Sequence, residues 1–203
     1  MKPEDVITIY EKHGTAWARD RARSLFEKPW LDRMLHAAPR AKGAVSVLDL
    51  GCGAGEPIAT YLADRGAQIT GVDASEPLTA LFTQNLPDAT VVRADMRQLA
   101  LDRAFDAILA WDSFFHLSAN DQRAMFAVFK AHAAPRAALM FTSGHVAGEA
   151  IGQVAGAPIY HASLSADEYR DLLHNHGFRV LHHMAEDPDC GGHTIWLAQY
   201  QSA

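Results

Sequence analysis

Cysteine is nearly missing from this chain. Cys52 and Cys190 are the only two, and their separation gives no disulfide scaffold. A reducing compartment is the expectation, and with it a cytoplasmic location. No apolar run approaches the roughly 20 residues that a transmembrane helix needs. The opening Met1-Lys2-Pro3-Glu4-Asp5 also lacks the apolar core of a signal peptide. Basic charge is short as well: 18 lysines and arginines face 24 acids, a net −6. A phosphate backbone calls for a basic face, and an anionic bilayer does too. Neither nucleic acid nor a membrane is therefore expected as a partner. Cys190-Gly191-Gly192-His193 has a metal-like spacing but no second pair, so no metal is expected. What remains is 203 residues, 49% of them apolar and 21% charged, enough for the core of one α/β domain.

The stretch that organises the rest is Val47-Leu48-Asp49-Leu50-Gly51-Cys52-Gly53-Ala54-Gly55-Glu56-Pro57. An apolar run from Val45 to Leu50 reads as a central parallel strand. Gly51, Gly53 and Gly55 then permit a sharp turn and a close approach of backbone to ligand. Pro57 suits the start of a helix, where its missing N–H costs nothing. Strand, glycine loop and helix N-terminus together make a nucleotide-type pocket at the carboxyl end of a sheet. Asp49 either caps the N–H groups of the loop or touches the ligand itself.

Residues 1–44 read as an N-terminal helical cap, with one helix ending near Gly14 and another starting at Pro29. From residue 45 to 143, strands and helices alternate as a cofactor-binding core. Strands are expected at 45–50, 68–73, 90–93, 105–111 and 137–142. The intervening helices cover 56–65, 75–85 and 118–133. Ser75 is a plausible N-cap, and Ser118 with Asp121 makes a capping-box pattern. Residues 144–163 break the alternation, with glycines at 144, 148, 152 and 156. A helix there would lose about 1 kcal/mol per glycine relative to alanine, so a lid-like insertion is expected, as a hairpin turning near Ala155-Gly156. Residues 164–203 add a helix opened by Ser165 and stopped at Gly177, then two antiparallel edge strands at 178–184 and 194–200. Repeated βα units imply a doubly covered, Rossmann-like parallel sheet of about seven strands.

Two cofactor classes share that architecture. Nicotinamide and flavin folds carry G-x-G-x-x-G, whereas here Glu56 stands at the third glycine position and the pattern is G-x-G-x-G. Asp73 closes the second strand, where a carboxylate accepts both hydroxyls of a ribose. Asp95 follows the third, within reach of an adenine amino group.

At these residues the chain resembles the class I S-adenosylmethionine-dependent methyltransferases. The likeness rests on V-L-D-L-G-C-G-A-G, G-V-D-A-S, R-A-D-M and F-D-A-I-L-A-W-D in order, within residues 44–143. It implies methyl transfer from S-adenosylmethionine, with Gly51, Cys52, Gly53 and Gly55 at the amino-acid end. It implies further Asp73 and Ala74 at the ribose, Asp95 and Met96 at the adenine, and Trp111 near the pocket floor. Tyr10, Trp17 and Arg21 of the N-terminal cap are spaced to meet on one side and are expected to close the site, an arginine suiting a methionine carboxylate. Transfer from a sulfonium needs a near-attack geometry more than catalytic side chains. A base, where the acceptor needs one, is expected to be His116, with His145, Tyr160 and His161 binding the acceptor. The acceptor is expected to be a small molecule, because the Asn/Asp-Pro-Pro-aromatic tetrapeptide of nucleobase methyltransferases is missing from Trp111-Asp112-Ser113-Phe114-Phe115. The alternative is a non-catalytic cofactor-binding partner or sensor.

Overall fold

The computed structural model describes residues 1–39 and 43–201. Its centre is a seven-stranded sheet in the order β3-β2-β1-β4-β5-β9-β8. The strands are β1 (Ser46–Leu50), β2 (Gln68–Asp73), β3 (Thr90–Arg93), β4 (Phe105–Ala110), β5 (Ala133–Ser143), β8 (Phe178–Asp187) and β9 (His193–Tyr200). The first five run parallel, while β9 is antiparallel to both β5 and β8. The helices are α1 (Asp5–Asp20), α2 (Lys28–Ala37), α3 (Ile58–Asp64), α4 (Glu76–Asn85), α5 (Ala119–Ala131) and α6 (Ala166–Asn175).

The strand sequences show why both faces are covered. Side chains alternate across a strand, and here both alternating sets are apolar. Val47, Leu109, Met140 and Leu197 point into one core with Trp30, Leu31 and Met34 of α2 and Leu62 of α3. Leu48, Ile108, Phe141 and Trp196 point into the other, with Phe126 and Phe129 of α5 and Tyr169 of α6. Strands buried on both sides belong in a parallel sheet wrapped by helices. The chain leaves β1 toward β2 and β3, then crosses back to β4 on the other side. This reversal opens a crevice at the carboxyl ends of β1 and β4.

Two local expectations are corrected. Gly14 does not end α1: it lies buried within the helix, where a Cβ would stand 2.9 Å from Leu78 Cγ of α4. Close approach of the two helices outweighs the poor helix propensity of glycine. Ser75 occupies the N-cap of α4, but its side chain makes no capping bond and Oγ instead donates to Tyr10 O at 3.3 Å. Ser118 and Ser165 do cap, accepting from Asp121 N and Glu168 N.

The segment after β5 is a hairpin of β6 (Gly148–Val154) and β7 (Ala157–Ser163). Ala155 and Gly156 form its two-residue turn, both with positive φ, as a type I′ hairpin requires. Val154, Ile159 and Tyr160 pack with Val6 and Ile9 of α1 in a third apolar cluster. Helix and hairpin thus brace each other.

Gly55 tests the packing at the first βα turn. It has φ 80°, and a Cβ there would meet Leu86 Cδ1 at 2.4 Å. Gly55→Ala combines left-handed strain with overpacking and is expected to cost about 3 kcal/mol, measured by urea denaturation.

Candidate active site

Leu50 ends β1, and the chain turns at once. Gly51 N and Cys52 N both donate to Val72 O, at 2.7 and 3.1 Å, which folds the loop back over β2. Gly51 needs to be glycine: φ is 75°, and a Cβ would lie 2.3 Å from Ser113 Cβ. Ser113 Oγ donates to Leu50 O at 2.6 Å, tying the ends of β1 and β4 together. Asp73, at the end of β2, accepts from Gly53 N through Oδ2 and from Ser75 N through Oδ1, both at 2.9 Å. Burial raises the pKa of this carboxyl, and those backbone N–H groups pull it back.

These residues wall a cleft with about 790 Å³ of space between its sides and mouth. Its floor comes from the ends of the first four strands and its roof from α1. The cleft brings together Trp17, Arg21, Gly51, Gly53, Asp73, Ala74, Asp95, Met96, Trp111 and His116. Cys52 and Gly55 are not among its walls. Cys52 turns its sulfur into the core against Gly71, and Gly55 faces Leu86 and Phe82. Both serve the packing of the loop, because alternate residues of so tight a turn point inward.

At one end of the cleft Arg21 and Asp73 line the wall, with Asp49 and Glu27 buried behind them. Burial pushes the Asp49 carboxyl up to about 7, with Arg21 opposing the rise and Asp73 adding to it. Arg21 lies over the Trp17 ring, 5.2 Å from its centroid, and its Nη2 is 3.5 Å from Glu27 Oε1. Glu27 is itself buried, and its Oε2 has no partner among the described residues. Trp17 in turn stands close above Gly53, where a Cβ would come within 3.1 Å of its ring. Further along, Asp95 is gripped by Arg97, which donates from Nη2 to Oδ2 at 2.6 Å. Burial acts against the charge, but the Arg97 bonds hold the Asp95 carboxyl below the usual range. Trp111 is buried with its Nε1 unpartnered among the described residues.

The opposite end is built on His116. Its Nδ1 lies 2.9 Å from Tyr160 O, and its Nε2 lies 3.1 Å from Tyr10 Oη. A carbonyl only accepts, so Nδ1 carries the hydrogen and Nε2 accepts from the tyrosine. Burial lowers the His116 pKa to about 4, so the ring is neutral near pH 7. His161 packs beside it, ring centroids 4.8 Å apart. His161 and His145 line a neighbouring hollow, between the end of β5 and the hairpin, and not the main cleft. His145 is exposed there, with Nδ1 3.7 Å from Glu186 Oε1. Tyr160 reaches the site through its carbonyl, while its hydroxyl donates to Glu149 Oε1 at 2.8 Å. Among the described residues no group of three metal-binding side chains occurs, and no helix is long and apolar enough to cross a membrane.

Residues 47–136 match the family model described as "Methyltransferase domain". That match runs from β1 to the first residues of β5. The dTDP-3-amino-3,6-dideoxy-alpha-D-glucopyranose N,N-dimethyltransferase of Streptomyces fradiae is 28% identical over 160 residues, 73% of this chain and 60% of that protein. The chain therefore spans less than two thirds of that relative. Trans-aconitate 2-methyltransferase of Escherichia coli is 37% identical over 89 residues, 36% of this chain and 34% of its own length. Among solved structures, the fold matches 1,6-didemethyltoxoflavin-N1-methyltransferase of Burkholderia thailandensis, which holds S-adenosylhomocysteine. The TM-score is 0.73 at 20% identity, covering 98% of this chain and 87% of that one. An amino pentose methyltransferase from Micromonospora echinaspora, solved with S-adenosylmethionine, matches at 0.71 and 19% identity, covering 95% and 97%.

The spacing of Tyr10, Trp17 and Arg21 puts all three at the cleft, but the partner of Tyr10 is a histidine 106 residues away, a contact that no local spacing reveals. Asp112 and Ser113 follow β4 directly, and their position after a strand in the crevice was the available signal. The state of His116 is open to a direct check. Imidazole resonances titrated by NMR are expected to show a neutral Nδ1–H tautomer with a midpoint near 4. That value lies below the ordinary 6.5 of histidine, so its contribution to stability is intact above 6.5 and lost as pH falls toward 4. Between those pH values His116→Gln is expected to lose less stability than the unaltered chain.

Proposed function

We propose that this chain transfers a methyl group from S-adenosylmethionine to a small-molecule acceptor, the cleft at the β1–β4 crevice holding both. The observation that carries this reading is the chemical order of the walls. Arg21, at the wall, offers a cation to an amino acid's carboxylate, and the buried Asp49 behind it supplies a negative field for the amine. Asp73 follows, with its oxygens exposed to the cleft beyond the two N–H groups they accept, as a ribose diol requires. Met96 and the Asp95 carboxylate stand next, an apolar wall and an acceptor for an adenine and its amino group. The glycine loop leaves room for this ligand, because Cβ atoms at Gly51 and Gly53 would crowd Ser113 and Trp17. The donor set thus fits the cofactor.

When bound, S-adenosylmethionine supplies an electrophilic methyl group on a positively charged sulfur. The chain's own task is placement, since alignment at near-attack distance accounts for much of the rate of such displacements. Tyr10 and His116 stand at the acceptor end. The Tyr10 hydroxyl donates to His116 Nε2, so its oxygen is free to accept a proton from an acceptor as its own moves to the imidazole. His116 is held for this by Tyr160 O, which fixes the tautomer with Nε2 open. The braced α1 and hairpin carry Tyr10 and Tyr160, and they shield the cleft from water.

Calorimetry with S-adenosylhomocysteine tests the reading. Binding in the micromolar range is expected, and none at high micromolar concentration overturns it. Asp73→Asn is expected to weaken that binding about tenfold or more, through a lost charged hydrogen bond. Asp49 titrates near 7 and attracts the ligand's amine only when ionised. Affinity is therefore expected to rise from pH 6 to pH 8, and Asp49→Asn to flatten the rise.

A further inference from the structure

Behind the cleft wall, bonded to Asp112, stands a second histidine that differs from His116 in what its Nε2 faces. His193, at the start of β9, places Nδ1 2.7 Å from Cys190 O and Nε2 3.0 Å from Asp112 Oδ1. Both partners are acceptors, a carbonyl and a carboxylate, so both ring nitrogens carry hydrogen. The ring is an imidazolium. It stacks on Trp111, with centroids 5.3 Å apart and planes 25° apart, where a cation over the indole face is favoured. Burial opposes this charge, but the bond to Asp112 outweighs it and raises the His193 pKa.

Asp112 is held by two residues in a left-handed conformation. Its N–H donates to Thr142 Oγ1 at 2.9 Å, its Oδ1 takes the His193 bond, and its φ is 50°. A non-glycine residue in the left-handed region costs energy and persists where its surroundings over-determine it, often in a site. Its Oδ2 takes no hydrogen bond among the described residues, and the residue lines the cleft with Tyr10 and His116. Its charge acts on Tyr10, His116 and His161 alike, which places it at the acceptor end.

We propose that Asp112 is the acceptor-binding carboxylate, pinned by His193, and that its free oxygen selects a primary or secondary amine as acceptor. The inference rests on the methyl-transfer reading. The acceptor end offers two proton-accepting oxygens, Asp112 Oδ2 and Tyr10 Oη. A neutral primary amine has two N–H groups to satisfy both, which turns its lone pair toward the methyl donor. A hydroxyl has one hydrogen and leaves one oxygen unmet, and a carboxylate acceptor is repelled by Asp112. The amine nitrogen forms the new N–CH3 bond while the sulfur keeps the electron pair of the bond that breaks. The positive charge thus moves to the amine. Its surplus proton passes to Tyr10 Oη as the Tyr10 proton passes to His116 Nε2. A secondary amine repeats the step with one N–H on Tyr10. His193 is the positioning residue, since it touches Asp112 and not the acceptor.

Two measurements test this. In nitrogen-15 histidine NMR of the free protein, His193 is expected to show two ring N–H groups at pH 7, and Asp112→Asn to lower its titration midpoint. A neutral His193 overturns the pinning. The second is a methylation screen by mass spectrometry, pairing sugar, amino-alcohol and aromatic amines each with its hydroxyl isostere, alongside S-adenosylhomocysteine calorimetry. N-methyl products are expected, with Asp112→Asn lowering amine kcat/KM about tenfold or more, as a lost charged hydrogen bond implies, at unchanged S-adenosylhomocysteine affinity. His193→Gln, which keeps one donor toward Asp112, is expected to raise KM more than it lowers kcat. O-methyl products, or no methylated amine while S-adenosylhomocysteine binds, overturn the proposal and leave the cofactor reading standing. No S-adenosylhomocysteine binding removes both.

Discussion

The carboxylate of Asp73 joins two turns that otherwise have no reason to stay together. One oxygen takes the N–H of Gly53 in the loop after β1, and the other takes the N–H of Ser75 at the head of α4. Each is a charge-assisted bond to a backbone group with no partner in the sheet. The loop can then curl over β2, since two of its glycines leave the space that Ser113 and Trp17 fill. The cleft exists because this loop is held open at a fixed distance from β2. A neutral residue at 73 would leave those N–H groups facing a partly buried space, where an unmet donor is costly.

Charge in the cleft is sorted by what each group can share. Arg21 is set between Glu27 and Asp49, so its cation keeps acidic neighbours when the helix packs down. Asp49 has no such dedicated partner and is pushed toward its neutral form. Arg97 saturates Asp95 on one side and leaves the residue at the cleft wall. His116 and His193 are the same residue type with different proton inventories. One faces a carbonyl and a hydroxyl, the other a carbonyl and a carboxylate. Partner chemistry decides the state, with burial acting on both rings in the same direction.

The sheet was legible because its strands announce themselves on both faces. Val47 and Leu48 already show that neither side of β1 meets water, and β2 and β3 fall where their apolar runs and flanking turns place them. The donor end was legible for a related reason: Gly51, Gly53, Asp73 and Asp95 all stand at strand ends, so position along the chain nearly fixes position in space. Cys52 and Gly55 sit in the same motif yet face inward, since a motif does not say which residues of a turn point to the ligand. Gly14 read as a helix end because propensity is local, and Leu78 of α4, which needs the missing side chain's space, is not. Ser75 lost its capping role to contacts with α1 that no four-residue pattern contains.

The acceptor end is of another kind. Tyr10 comes from α1, Asp112 and His116 from the turn after β4, Tyr160 from the hairpin and His193 from β9, and bonded pairs among them lie 44, 81 and 106 residues apart. Each contact depends on how a peripheral element docks, and the docking depends on apolar residues such as Val6, Val154 and Ile159 that carry no chemical signal. A fold that builds its donor site from strand ends and its acceptor site from added elements can change the second without disturbing the first. Asp112 joins the two kinds of element, since it follows directly from β4 while its partner, His193, comes from the last strand.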